Sequence, residues 1–113
     1  MKINKELSKG SNALLVLSVL SRGDSYGYQI VKVIENASQE VFVMNEGTLY
    51  PILHSLESEK YVESYWCEAD GRKRKYYKIT DKGRKQLMEK ETEWKTFSTA
   101  VEKVLGFSEL ANA

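Results

Sequence analysis

The 113-residue chain has only one cysteine, one histidine and one proline. A single cysteine, Cys67, cannot form an intramolecular disulfide, and together with His54 it is too few to complete a zinc site within one chain. No run of 18 apolar residues is present, which argues against a membrane-spanning helix. Phosphate-binding loops, dinucleotide-binding loops and hydrolase triads are missing as well. We therefore expect no enzymatic activity, no cofactor, no metal and no membrane partner.

A large excess of charge is also absent, because 17 basic residues oppose 16 acidic ones. The charges are nevertheless segregated along the chain. Residues 71–85 carry eight basic side chains and one acid, whereas residues 32–70 carry two basic side chains and eight acids. A basic segment with interleaved tyrosines is typical of a phosphate-binding surface. A charged loop that only keeps the protein in solution would have the same composition.

The N-terminus superficially resembles a signal peptide, because Lys2 and Lys5 precede an apolar stretch at 13–20. Glu6 lies within the would-be basic region, however, and residues 21–24 (SRGD) offer no small-residue cleavage site. We therefore expect a cytoplasmic protein.

Hydrophobic periodicity and turn residues predict a mainly helical α+β fold. The predicted elements are helices over 8–20, 26–37, 46–60 and 81–106, a short strand at 41–43, and a hairpin of strands 62–67 and 75–79 joined by a longer loop. Ser25, Asn45 and Thr80 are placed to cap the last three helices. Pro51 lies past the first turn of its helix, where it removes a hydrogen bond and should cause a kink.

Two of these helices have apolar surfaces that need a packing partner, and a chain this short has no further element to provide one. The first is apolar on nearly all sides, and the last has an apolar seam close to heptad spacing with no later helix to cover it. A homodimer would cover both. The candidate interface residues are Leu87, Phe97, Val101 and Leu105.

The third helix presents a polar and aromatic face with few acids, as expected of a helix that enters the major groove. Its candidate base contacts are Thr48, Tyr50 and His54. A surface histidine and a partly buried tyrosine would fit the same positions. Candidate phosphate contacts are Arg72, Lys73, Arg74 and Tyr76 in the hairpin, with Lys5 and Lys9 near the N-terminus.

Three sequence blocks resemble the motifs of the PadR family of bacterial transcriptional regulators, most of which are repressors. They are residues 25–30 (SYGYQI), 46–57 (EGTLYPILHSLE) and 72–83 (RKRKYYKITDKG). The resemblance spans about residues 8–106. It implies a winged helix-turn-helix DNA-binding domain at 1–80, a long C-terminal dimerisation helix and tail at 81–113, and binding to a pseudo-palindromic double-stranded DNA operator.

The chain is similar to the short PadR subfamily, whose last helix packs on the first helix of a partner subunit. In multidrug-binding repressors of that subfamily, a tryptophan of the last helix lines a pore at the dimer centre, and Trp94 matches it. The resemblance implies a planar aromatic effector, with Leu7, Leu14, Ser18 and Ser98 as further lining residues. Ser98 stands where such a relative has an acid, which argues against cationic ligands. Trp94 could instead be only a packing residue of the dimer core.

A different hypothesis is a winged-helix module that binds proteins and not DNA. That hypothesis predicts an acidic or apolar face on the third helix and an uncharged hairpin. The sequence has neither feature.

Overall fold

The computed structural model describes residues 10–107, so Lys5, Leu7 and Lys9 lie outside the described residues. Helices and a small antiparallel sheet alternate along the chain in the order α1 (Asn12–Arg22), β1 (Ser25–Tyr26), α2 (Gly27–Ala37), α3 (Glu46–Ser58), β2 (Val62–Ala69), β3 (Arg72–Ile79) and α4 (Asp81–Leu105). The strand order is β1-β3-β2. The predicted fold class, α+β and mainly α with a long last helix, is confirmed.

The core lies between the first three helices and one face of the sheet. Its most fully buried side chains come from each of these elements, namely Val16, Leu17, Leu20, Ile30, Leu49, Leu53, Val62 and Tyr77. Burying a side chain of this size contributes about 1.5–3 kcal/mol. The helical spacing of the α3 leucines therefore fixes which face of that helix turns outward.

The short strand lies elsewhere than predicted. Residues 41–43 form no strand, whereas Ser25 and Tyr26 pair with Tyr77 and Tyr76 of β3. The two edges of β3 are occupied by β1 and β2, so no edge of β3 remains for residues 41–43. Ser25 consequently belongs to the sheet and does not cap α2.

The hairpin loop is shorter than predicted. Only Asp70 and Gly71 separate the strands, with φ of 54° and 74°, as a two-residue hairpin turn requires. Pairing continues through the charged residues because Glu68 stands opposite Lys73, and opposite charges across strands stabilise the pair. Arg72 therefore lies immediately beside the turn.

The predicted caps of α3 and α4 are both present. The Asn45 side chain accepts a hydrogen bond from the Thr48 amide at 2.8 Å, and the Thr80 hydroxyl accepts one from the Gly83 amide at 3.0 Å. The last helix ends one residue before the predicted boundary, with Gly106 at φ 83°.

The start of α4 is locked to the base of the hairpin at Tyr61. The Tyr61 carbonyl accepts hydrogen bonds from the Thr80 amide at 3.0 Å and from the Thr80 hydroxyl at 3.1 Å. Gly83 packs directly on this carbonyl, and a methyl group added there would overlap it and lie 2.7 Å from an Ile79 side-chain carbon. Only glycine fits at this contact.

The C-terminal half of α4 leaves its apolar residues open. Leu87 is buried in its own chain, at 6% exposure, whereas Phe97 and Leu105 are 62% and 59% exposed. Any surface offered to a second copy therefore begins beyond Leu87. Among residues 10–107, no helix is long and apolar enough to cross a membrane.

Candidate nucleic-acid interface and adjoining groove

The three predicted base contacts are all exposed on α3. Thr48, Tyr50 and His54 face solvent, whereas Leu49, Leu53 and Leu56 of the same helix are buried. Glu57, one of two acids in this helix, accepts a hydrogen bond from the Ser64 hydroxyl of β2. Its carboxylate is therefore directed to the sheet, and Glu46 in the first turn is the other acid of α3 and is exposed.

Tyr50 is held against the first turn of α2. A Cβ at Gly27 would lie 2.8 Å from the Tyr50 hydroxyl oxygen, so the missing side chain of Gly27 makes room for the tyrosine. Tyr50 is 39% exposed, an intermediate value that fits both a base contact and the partly buried tyrosine that the sequence also allowed. The hydroxyl end of the ring is the part that lies against Gly27.

The predicted phosphate contacts divide between the two faces of the hairpin. Side chains alternate along β3, and Tyr77 and Ile79 point into the core. Lys73 shares that core-facing side, beyond the edge of the core. Arg72, Arg74 and Tyr76 lie on the opposite side, which we call the outer face.

Three tyrosines cross the outer face in one row, which we call the aromatic row. Tyr26 of β1 and Tyr65 of β2 flank Tyr76 of β3, with ring centroids 5.4 Å and 5.8 Å from that of Tyr76. The Arg74 guanidinium lies over the Tyr26 ring, 4.4 Å from its centroid. The basic side chain nearest the aromatic row is thus stacked on it.

Asp24 closes the far end of the aromatic row. Its carboxylate accepts a hydrogen bond of 2.6 Å from the Tyr65 hydroxyl. That hydrogen bond, assisted by burial, raises the pKa of Tyr65 to about 12, because loss of the phenol proton would break the bond and place a second negative charge beside Asp24. The sequence analysis missed Asp24, Tyr26 and Tyr65, although a two-residue turn at 70–71 would have placed Tyr65 opposite Tyr76.

Two basic residues of the 71–85 segment bind the protein itself. The Lys82 ammonium donates to the Glu59 carbonyl at 2.9 Å, and the Arg84 guanidinium donates to the Ser21 carbonyl at 3.5 Å. They brace the start of α4. The charge available to an external phosphate therefore lies mainly in the hairpin.

A groove of about 390 Å³ runs between the N-terminal part of α1 and the middle of α4. It brings together two predicted ligand contacts, Trp94 and Leu14. Ser18 and Ser98 do not line it, and the Ser98 hydroxyl donates to the Lys95 carbonyl at 3.3 Å. Ser11, which the helical spacing places on the same face as Leu14, also lines the groove. Four further lining residues were not predicted as ligand contacts, although those of α4 lie within about one turn of Trp94: Gly10, Lys90, Glu93 and Phe97.

Comparison with known families identifies this arrangement. Residues 16–89 match the transcriptional regulator PadR-like family, and they include α3 and the whole hairpin. The chain belongs to the PadR-like family of transcriptional regulators. The resemblance found in the sequence is thereby confirmed. The match ends at residue 89, before the Trp94 groove.

Several solved PadR-like and related regulators share this fold. A transcriptional regulator from Clostridium thermocellum is 37% identical, with a TM-score of 0.81 over 87% of this chain and 96% of that one. A PadR-like transcriptional regulator from Bacillus cereus is 34% identical, with a TM-score of 0.79 over 88% and 96%. The transcriptional regulator YqjI of Escherichia coli is 35% identical over 71% of this chain. The matched segment covers 37% of the length of YqjI.

Members of the PadR-like family are DNA-binding transcriptional regulators and not enzymes. The predictions of a DNA-binding regulator and of a non-enzymatic protein are therefore confirmed at the level of the family. The exposed face of α3 and the basic hairpin are the parts of this PadR-like chain suited to that activity.

Proposed function

We propose that this PadR-like regulator is a homodimeric repressor that binds a pseudo-palindromic duplex and is released from it by a planar aromatic ligand. The observation that carries the proposal is the low-acid, exposed face of α3 beside a hairpin with outward-facing arginines. In this arrangement Thr48, Tyr50 and His54 contact base edges, while the hairpin contacts phosphates. Two such surfaces would occupy half-sites about 34–36 Å apart.

The open half of α4 supports the homodimer. Trp94, Phe97, Val101 and Leu105 are each between 39% and 62% exposed in the single chain. A contiguous apolar surface of this kind is unusual on a monomer and is typical of a protein interface. A second copy would cover it, and the division into a DNA-binding part at 1–80 and a dimerisation part at 81–113 follows from that pairing.

Replacing Phe97 and Val101 together with aspartate is expected to give a monomer. Buried carboxylates without partners would oppose the association of two α4 helices. Light scattering should show a fall in mass by half, to the 13.0 kDa of one chain. These substitutions are preferable to truncation after Lys85, because truncation would also remove Leu87 from the core.

The control for this experiment is Thr96→Asp with Thr99→Asp, which adds the same charge to other exposed positions of α4. The control protein should remain a dimer. A Phe97→Asp, Val101→Asp protein that remains a dimer would place the interface elsewhere and contradict this part of the proposal.

The Trp94 groove supports the ligand. Trp94 lies at the middle of α4, so a two-fold axis that passes beside the middle of this helix would have the two Trp94 rings on either side of it. Lys90 and Glu93 balance each other in charge at the groove, which favours a neutral planar ligand. Stacking contributes about 0.5–1.5 kcal/mol per ring beyond the burial of apolar surface. We expect micromolar affinity, about −8 kcal/mol.

Trp94→Ala is expected to abolish the fluorescence quenching caused by a planar dye. Quenching requires the ligand to lie against the indole, and Trp94 is the groove tryptophan. Trp66, 62% exposed on the hairpin, provides a reference signal in both proteins. If quenching persists undiminished in Trp94→Ala, or if planar dyes do not bind below about a millimolar, the groove is not the effector site.

A further inference from the structure

The Arg74 side chain stacks on a tyrosine ring and donates no side-chain hydrogen bond to any of residues 10–107. Its guanidinium stacks on the Tyr26 ring at 4.4 Å, and Arg74 forms no ion pair with any carboxylate of residues 10–107. A cation–π contact uses the charge and the flat surface of the guanidinium, while the N–H groups point outward around its edge. Arginine can therefore be stacked on a ring and bind an anion at the same time.

We propose that Tyr26 is a positioning residue for DNA binding, whose ring holds Arg74 over the outer face of the sheet in the geometry that a phosphate requires. The inference rests on the proposed contact between Arg74 and DNA. An unrestrained arginine loses rotamer freedom when it binds. Stacking on Tyr26 restricts that freedom before DNA is bound, so less is lost on binding.

Tyr26 is itself fixed by the rest of the aromatic row. Its ring meets the Tyr76 ring at 72°, edge to face, and the Tyr76 ring stacks on Tyr65 at 16°. The Tyr65 hydroxyl is bound in turn to Asp24, which precedes β1. Each side chain restrains the next across three strands, and the restraint ends at Arg74.

The position of Tyr26 also ties the hairpin to the helix-turn-helix. Tyr26 pairs with β3 through its backbone and directly precedes α2. Its amide donates to the Gln29 side chain of that helix at 3.3 Å. Arg74 is therefore attached, through Tyr26, to α2, the helix against which Tyr50 packs. This shared attachment sets the distance between the proposed phosphate contact and the proposed base contact.

A double-mutant cycle between Tyr26 and Arg74 tests the inference. Affinity is measured by fluorescence anisotropy on a mixed-sequence duplex of about three helical turns, because a phosphate contact acts on every sequence. Tyr26→Leu, which keeps an apolar side chain but no ring, should weaken binding about fivefold. Tyr26→Phe, which keeps the ring, should bind within about twofold of the unmodified protein. In the Arg74→Ala background, Tyr26→Leu should cause no further loss.

The outcomes separate this inference from the proposed function. If Arg74→Ala binds DNA like the unmodified protein, the proposed contact of Arg74 is wrong. If Arg74→Ala weakens binding but Tyr26→Leu does not, only the positioning role is wrong. Losses that add in the double variant would also overturn the positioning role, since general damage to the fold lowers affinity equally in both backgrounds. Circular dichroism at the assay temperature verifies that all variants are folded.

Discussion

Replacing Arg72 and Arg74 together with alanine is expected to lower the affinity for duplex DNA by about 100-fold at physiological salt. Both side chains lie on the outer face of the hairpin, one beside the turn and one stacked on Tyr26. A dimer would lose four phosphate contacts. The slope of log affinity against log salt should therefore fall in magnitude by about three to four. The loss should be similar for all duplexes, because phosphates carry no sequence.

Lys82→Ala with Arg84→Ala is the matched control. It removes the same charge from the same 71–85 segment, but these side chains donate to carbonyls of the protein itself. Their replacement should change the salt slope by less than about one. Equal affinity of the Arg72→Ala, Arg74→Ala protein and the unmodified protein would exclude the hairpin as the phosphate-binding element.

Gly83→Ala is expected to destabilise the protein by about 2–3 kcal/mol. Alanine is the better helix former by about 1 kcal/mol, so propensity alone predicts the opposite sign. The added methyl group would overlap the Tyr61 carbonyl, which cannot move aside without breaking its hydrogen bonds from Thr80. Thermal unfolding should show a fall in Tm of about 10 °C.

Gly23→Ala provides the comparison, because a Cβ at Gly23 meets no atom within 4 Å. Its Tm should change by no more than about 2 °C. A Gly83→Ala protein as stable as the unmodified one would mean that the start of α4 can shift away from the hairpin.

The features that the sequence predicts correctly depend on near neighbours. Asn45 and Thr80 cap their helices through amides three residues further along, and the α3 leucines recur at helical spacing. Such local patterns can be recognised in a sequence without knowing the tertiary contacts of the residues. The outward side of α3 follows directly, and with it the candidate base contacts.

The features that the sequence analysis missed depend on partners far along the chain. Ser25 and Tyr26 form a strand only because an edge of β3 about fifty residues later is open to them. The run at 41–43 has the better strand propensity, but no edge of β3 is left for it. The aromatic row likewise depends on the register of the hairpin. Because the predicted loop was too long, the sequence analysis identified neither Tyr65 as a neighbour of Tyr76 nor the Tyr26 ring as the surface on which Arg74 stacks.

The length of α4 turns small rotations into large displacements. With 25 residues it is about 37 Å long, so a tilt of about 5° about its C-terminal end moves its first turn by about 3 Å. Because Gly83 and Thr80 attach that first turn to the hairpin, the hairpin travels with the helix. The displacement is close to the rise of one base pair, about 3.4 Å. The helix is thus a lever: a rotation about its C-terminal end moves the first turn about twice as far as it moves Trp94, which lies midway along the helix.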